Sequence, residues 1–264
     1  MIRVVAAACL AALLAACTTA PAPTAPGDPP PAPRPQAEPD PERRVQVRLE
    51  LAGAYFGRGQ FDTAMNEVRQ VLALRPDMPE ALSLQALIQS GMGDVRGAEA
   101  TFRRALQVAP TNGDTMHNYG WFLCQQRRFD EADAQFQAAI AAPLYRESAR
   151  TLLVAGVCQA RAGRNDRAEQ LLSRSFELDP SNPSTAYNLS DLLYRRGEYE
   201  RVRFMLRRVN AQPETSNSLS LWLAAKTENK LNNPAGVQEI GRQLRERFPQ
   251  APELQLLERN RFDE

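Results

Sequence analysis

Prolines mark the chain at nearly equal intervals. Pro76 and Pro110 are 34 residues apart, and Pro143, Pro180, Pro213 and Pro249 continue at close to that spacing. Ala64, Ala98 and Ala132 keep the step of 34, and Ala168 follows after 36. Gly59, Gly93 and Gly163 each precede such an alanine by five residues, and Gly197 stands in the same relation to Val202. Phe102 and Phe136 follow theirs by four, with Ala105 and Ala139 three further on. A period of this length is the mark of a stacked array, in which each unit buries its apolar face only against its neighbours. Within a unit, the glycine suits a left-handed turn at a helix end. The proline stops the second helix and holds the preceding residue extended.

The pattern resembles the tetratricopeptide repeat, a helical hairpin with a small residue in its first helix and Ala, Phe, Ala and Pro in its second. On this register the repeats fall at 45–78, 79–112, 113–146, 149–182, 183–216 and a divergent 217–250, which keeps Trp222, Leu223 and Pro249 but lacks the glycine. Eight positions into the first five stand Ala52, Ala86, Gly120, Gly156 and Ser190, small enough for close helix approach. Residues 251–262, with Leu254, Leu256, Leu257 and Phe262, read as a capping helix over the last repeat. The resemblance implies an all-α, right-handed superhelical solenoid of about six repeats over residues 43–264. Asp62, Asp94, Asp130 and Asp166 fall in turns between helices, where capping accounts for them.

In such solenoids the first helices line a groove. Carrying over the family's groove positions selects Leu49, Gly53 and Phe56, then Ser83, Leu87 and Ser90, then His117, Trp121 and Cys124. Leu153, Val157, Tyr187, Asp191 and Tyr194 follow. We single out Leu49, Gly53, Phe56, Leu87 and Trp121 as the partner-binding set, with inter-repeat packing as the alternative role for the leucines and the tryptophan. An apolar lining of this kind suits an extended segment or an amphipathic helix of a protein partner. Asn118 and Asn188 occupy a position that some relatives use, with lysines, to clamp a terminal carboxylate, but no lysine accompanies them.

Composition narrows the function classes. The 264 residues carry a formal net charge of +1, which argues against nucleic-acid binding driven by counterion release. One histidine, His117, serves the whole chain. Phosphate-loop, nucleophile-elbow and zinc-protease motifs do not occur, so we expect no enzyme, no metal, no cofactor and no small-molecule substrate.

The first residues read as an address. Arg3 precedes an apolar run from Val4 to Leu14, too short to span a bilayer. Leu14-Ala15-Ala16-Cys17 resembles the bacterial lipobox, which implies a signal peptide over 1–16 and a lipid on Cys17; an ordinary secretory signal is the alternative. Thr18, where inner-membrane retention would call for Asp, implies sorting to the outer membrane. Residues 17–42 are Pro-rich and read as a disordered tether, which in polyproline II reaches roughly 70 Å. Cys124 and Cys158 remain in the repeats. First helices pack about 8–10 Å apart, so the two can bond if they face one interface; buried free thiols are the alternative, and an oxidising compartment favours the bond.

Three blocks narrow the resemblance: Asn118-Tyr119-Gly120-Trp121-Phe122-Leu123-Cys124-Gln125-Gln126, Ala142-Pro143-Leu144-Tyr145 and Ala155-Gly156-Val157-Cys158. Together with the lipobox they resemble the PilF/PilW family of type IV pilus biogenesis and stability lipoproteins. That resemblance implies a pilotin: an outer-membrane lipoprotein, its repeats in the periplasm, that binds subunits of the pilus secretin and promotes their localisation and multimer assembly. A repeat scaffold for peptidoglycan or other envelope-assembly enzymes is the alternative.

Overall fold

The computed structural model describes residues 40–263, so Cys17 and the signal segment lie outside the described residues. Twelve helices form six antiparallel pairs: α1 (Pro41–Gly57) with α2 (Phe61–Leu74), α3 (Pro79–Gly91) with α4 (Val95–Val108), α5 (Gly113–Gln125) with α6 (Phe129–Ala141), α7 (Ser148–Arg161) with α8 (Asn165–Leu178), α9 (Pro183–Arg195) with α10 (Tyr199–Asn210), and α11 (Ser218–Lys230) with α12 (Pro234–Arg247). A short α13 (Pro252–Glu258) ends the solenoid. No strand occurs among the described residues, and no helix there is long and apolar enough to cross a membrane. The first helix begins at Pro41, inside the stretch read as tether. Proline presets the helical φ at the first position, and the Asp40 side chain accepts the Glu42 N–H.

Each pair closes on the small residue of its first helix. Ala52, Ala86 and Ser190 are fully buried. At Gly120 a β-carbon would lie 2.7 Å from the Phe136 ring, and at Gly156 one would lie 2.6 Å from Leu172, so glycine is the residue that admits these partners. Phe102 fills the space towards the next pair, packed on Tyr119 at 5.3 Å and on Phe122 at 5.5 Å between ring centroids, and Phe136 is buried against Gly120 of its own pair. The last pair is covered by α13: Leu254 and Leu257 pack with Leu221, Trp222 and Leu244, and Phe262 stacks on Trp222 at 5.5 Å. Burying that apolar end removes a face that a further repeat would otherwise occupy.

Turns within pairs follow the glycine pattern. Gly59, Gly93, Gly163 and Gly197 have φ of 72°, 85°, 76° and 80°. In the third pair Arg127 takes that role at φ 61°, and in the sixth Asn232 does so at 53°. Asparagine tolerates this region; arginine pays for the crowding of its β-carbon.

The aspartates divide. Asp94 caps α4, accepting the Gly97 N–H at 2.9 Å. Asp62, Asp130 and Asp166 instead occupy the second position of α2, α6 and α8, whose N-cap residues Gln60, Arg128 and Arg164 make no side-chain cap. One residue inside the helix a carboxylate favours the helix dipole without reaching the N–H groups that a cap serves. Two of them also tie pairs together. Asp130 meets Arg164 at 2.7 Å and Asp166 meets Arg196 at 2.8 Å, while Arg128 binds Glu99 at 2.8 Å. The Arg128 hydrogen bond holds the Glu99 carboxyl below its usual range. The two aspartate links are exposed and contribute modestly.

Because Arg127 bears a β-carbon in a left-handed turn, Arg127→Gly is expected to raise stability by about 1 kcal/mol. Chemical denaturation of the purified variant measures it as a higher midpoint at unchanged slope.

Candidate protein-docking site

A depression of about 600 Å³ opens on the first helices of four consecutive pairs. Phe56 from α1, Leu87 from α3, Trp121 from α5 and Val154 from α7 line it, joined by Phe61 at the start of α2. Its polar rim includes Ser90, Asn118, Gln125 and Arg150. Helical spacing explains the arrangement: one face of each first helix packs on its own partner, the flanks pack on neighbouring first helices, and the remaining stripe is left to line the opening. Phe56, Leu87 and Trp121 are each half-buried, seated on the core with one side free. The Phe56 and Phe61 rings lie 5.9 Å apart. Phe61 also leans over Gly91, where a β-carbon would come within 2.7 Å of its ring.

The structure thus brings together three of the five residues singled out in the sequence. Leu49 lies nearer the start of α1 and packs against the cluster of Val45, Val71 and Ala81, away from this cavity. Gly53 does not line it either, and a β-carbon there would meet nothing within 4 Å, so the glycine faces open space.

Of the wider groove set, His117, Cys124 and Ser83 are buried, and Cys124 and Ser83 do not line the cavity. His117 is among the lining residues although it is almost wholly buried. His117 and Cys124 are seven residues apart and share the flank of α5 that faces α7. Across that joint His117 Nδ1 is hydrogen-bonded to Thr151 Oγ1 at 2.8 Å, and Cys124 is joined to Cys158 by a disulfide with a Cα–Cα distance of 5.9 Å. Both links span a sequence separation of 34. Thr151 also bonds to Tyr145 Oη at 2.6 Å, and the Tyr145 ring sits where a β-carbon on Gly113 would be. Cys124, Tyr145 and Cys158, one from each sequence block, thus all bear on the joint between α5 and α7. By the chain-entropy relation, a disulfide closing a loop of this length contributes about 4 kcal/mol.

Burial first, and the nearby Arg150 charge second, push the His117 imidazole down to about 4. A neutral ring is thereby kept in the joint, where it fits the hydrogen bond with Thr151. Asn118 donates to Ser83 Oγ at 3.1 Å and Asn188 to the Ser184 carbonyl at 2.8 Å, so both amides are engaged within the solenoid and not presented as a carboxylate clamp. Among the described residues no cluster of His, Cys, Asp and Glu is placed to hold a metal ion. The sequence reading missed Phe61 and Val154. Phe61 stands at the start of a second helix, outside the register used for the groove. Val154 is adjacent to Leu153, and a period alone does not say which of two neighbouring apolar residues faces outward.

Comparison with known proteins agrees with this geometry. The tetratricopeptide repeat family matches residues 49–114, 83–143 and 123–183, and a second description of the same repeat matches 159–225. The chain belongs to the tetratricopeptide repeat family. It is 27% identical to the type IV pilus assembly protein PilF of Pseudomonas aeruginosa over 207 residues, 78% of this chain and 82% of that protein. The solved structure of Pseudomonas aeruginosa PilF aligns at a TM-score of 0.68 and 25% identity, over 83% of this chain and 98% of PilF. The crystal structure of PilW, a widely conserved type IV pilus biogenesis factor, aligns at 0.68 and 27% identity, over 81% of this chain and 97% of PilW. The protein is a repeat solenoid homologous to PilF.

The sign of the histidine effect is fixed by its lowered pKa. Between its ordinary value of 6.5 and about 4 the unfolded chain binds a proton that the folded chain excludes. Stability is therefore expected to fall as pH drops through that window, by about 3 kcal/mol in all. Denaturation midpoints against pH, compared with those of His117→Gln, check this: the variant's profile should be flatter between pH 6.5 and 4.5.

Proposed function

We propose that the protein is a pilotin of the type IV pilus: an outer-membrane lipoprotein, anchored through Cys17, whose periplasmic solenoid binds secretin subunits and promotes their localisation and assembly into multimers. The observation that carries this reading is the likeness to PilF along nearly the whole of that protein, at a TM-score of 0.68 over 98% of its length. A likeness confined to the generic hairpin would be shared with any repeat scaffold. The block from Asn118 to Cys124 departs from the generic repeat pattern, and its joining to the Ala155–Cys158 block through the Cys124–Cys158 disulfide supports the same reading.

Physical chemistry makes the role workable. A secretin subunit on its way to a membrane ring exposes apolar segments that would otherwise aggregate. The cavity lined by Phe56, Phe61, Leu87, Trp121 and Val154 offers such a segment an apolar seat on a rigid frame. A lipid on Cys17 and the Pro-rich segment after it would keep that seat near the membrane where the ring assembles.

Deletion of the gene is expected to abolish or mislocalise heat-resistant secretin multimers on a denaturing gel, with restoration by the lipidated protein. Cys17→Ser is expected to leave the outer-membrane fraction. Phe56→Glu should reduce multimers several-fold while keeping the helical circular dichroism of the folded solenoid. Wild-type multimers and intact pili in the deletion strain would overturn the proposal; wild-type multimers with folded Phe56→Glu would move the docking site elsewhere.

A further inference from the structure

Beneath its apolar character the cavity has an unbalanced charge. Arg150 lines it, and the Arg161 guanidinium lies 5.4 Å over the centroid of the Trp121 ring. No aspartate or glutamate lines the cavity. Asp114 and Glu147 share the surroundings of Tyr145 with Arg150, yet neither is bonded to it. Among the described residues neither Arg150 nor Arg161 has an ion pair. Several other arginines along the solenoid do hold carboxylates. Arg195, at the position of α9 equivalent to Arg161 in α7, is paired with Asp191 at 2.7 Å, and Arg128, Arg164 and Arg196 each hold a carboxylate of another pair.

Arg150 and Arg161 bracket one helical stripe. Arg150, Val154, Val157 and Arg161 follow one another by four, three and four residues on α7. Eleven residues of helix separate the ends, about 16 Å at the helical rise. An extended peptide covers the same distance in about five residues. Arginine recognises carboxylates through a planar fork of donors, and the apolar seat beside it asks for an aromatic or branched aliphatic side chain.

We propose that this face is selective for an acidic–apolar segment of its protein partner: an extended stretch with two carboxylates about five residues apart, bound by Arg150 and Arg161, and a large apolar side chain between them seated against Phe56, Leu87 and Trp121. The inference rests on the reading that this face is the docking surface, and it names the chemistry of what docks.

The test uses the purified full chain and an acetylated, amidated decapeptide carrying two Glu about five positions apart with Phe and Leu between them. Its counterparts carry Gln or Lys in place of both Glu. Calorimetric titration is expected to give affinity for the acidic peptide about tenfold above that for the Gln peptide, an advantage that shrinks as salt rises. Arg150→Glu should abolish the advantage and favour the Lys peptide. Both arginines are exposed, so the variant is expected to melt as the wild type does. Equal affinity for the acidic and Gln peptides, undiminished binding of the acidic peptide to Arg150→Glu, or binding of none of the three would overturn the inference. Its failure is separable from that of the pilotin reading. Acidic-peptide selectivity alongside unchanged secretin multimers in the deletion strain would sink the pilotin reading alone. Multimers that need the protein but form normally with Arg150→Glu would sink the selectivity alone.

Discussion

Everything in this solenoid depends on how closely the two helices of a pair approach. The approach is set where a residue with little or no side chain in the first helix meets a ring or a leucine in the second: Ala52, Ala86, Gly120, Gly156 and Ser190 do this in turn, with Phe136 on Gly120 and Leu172 on Gly156. Interiors are close-packed, so a single added methyl at such a contact shifts a helix rather than filling a void. With each hairpin closed on this face, the flanks of the first helices stack on one another. The stripe that remains is the only part of those helices left for a partner.

The joint between the third and fourth pairs is reinforced beyond that common scheme. Here the step along the chain lengthens from 34 to 36, as Ala132 and Ala168 register, and the link between α6 and α7 runs through Pro143 and Tyr145. A disulfide, a buried histidine–threonine bond and a tyrosine reaching the same threonine hold α5 against α7. Trp121 and Val154, contributed by these two helices, line the cavity directly above. A docking surface built across separate repeats keeps its shape only if the repeats do not slide, and the disulfide and the bonds at Thr151 oppose sliding at two heights along the helices.

Much of the fold was legible because its determinants are local. A glycine five residues before an alanine needs only its own backbone to specify a left-handed turn, and proline ends a helix wherever it stands. The site was legible in part. Phe56, Leu87 and Trp121 share a cavity, whereas Leu49 turns to a neighbouring cluster, and His117 and Cys124 are buried in the joint. The register selected the right helices and misplaced some faces. A groove position one step around a helix becomes an interface position when the neighbouring helix is shifted by two residues, and that shift comes from the link between pairs. Arg127 is the matching case in the turns: the periodicity marks a turn there, but nothing local says that an arginine will accept it.

The sequence by itself determined the repeat, the helix pairs, the small contact residues and the capping segment, because each follows from spacing and from the backbone preferences of a few residue types. Only the tertiary structure decided which apolar side chains are shared between neighbours and which are left free, which arginines find carboxylates and which do not, and that two cysteines meet. Those outcomes depend on the rotation of each helix against the next, a quantity set by side-chain volumes across interfaces and written in no single segment of the chain.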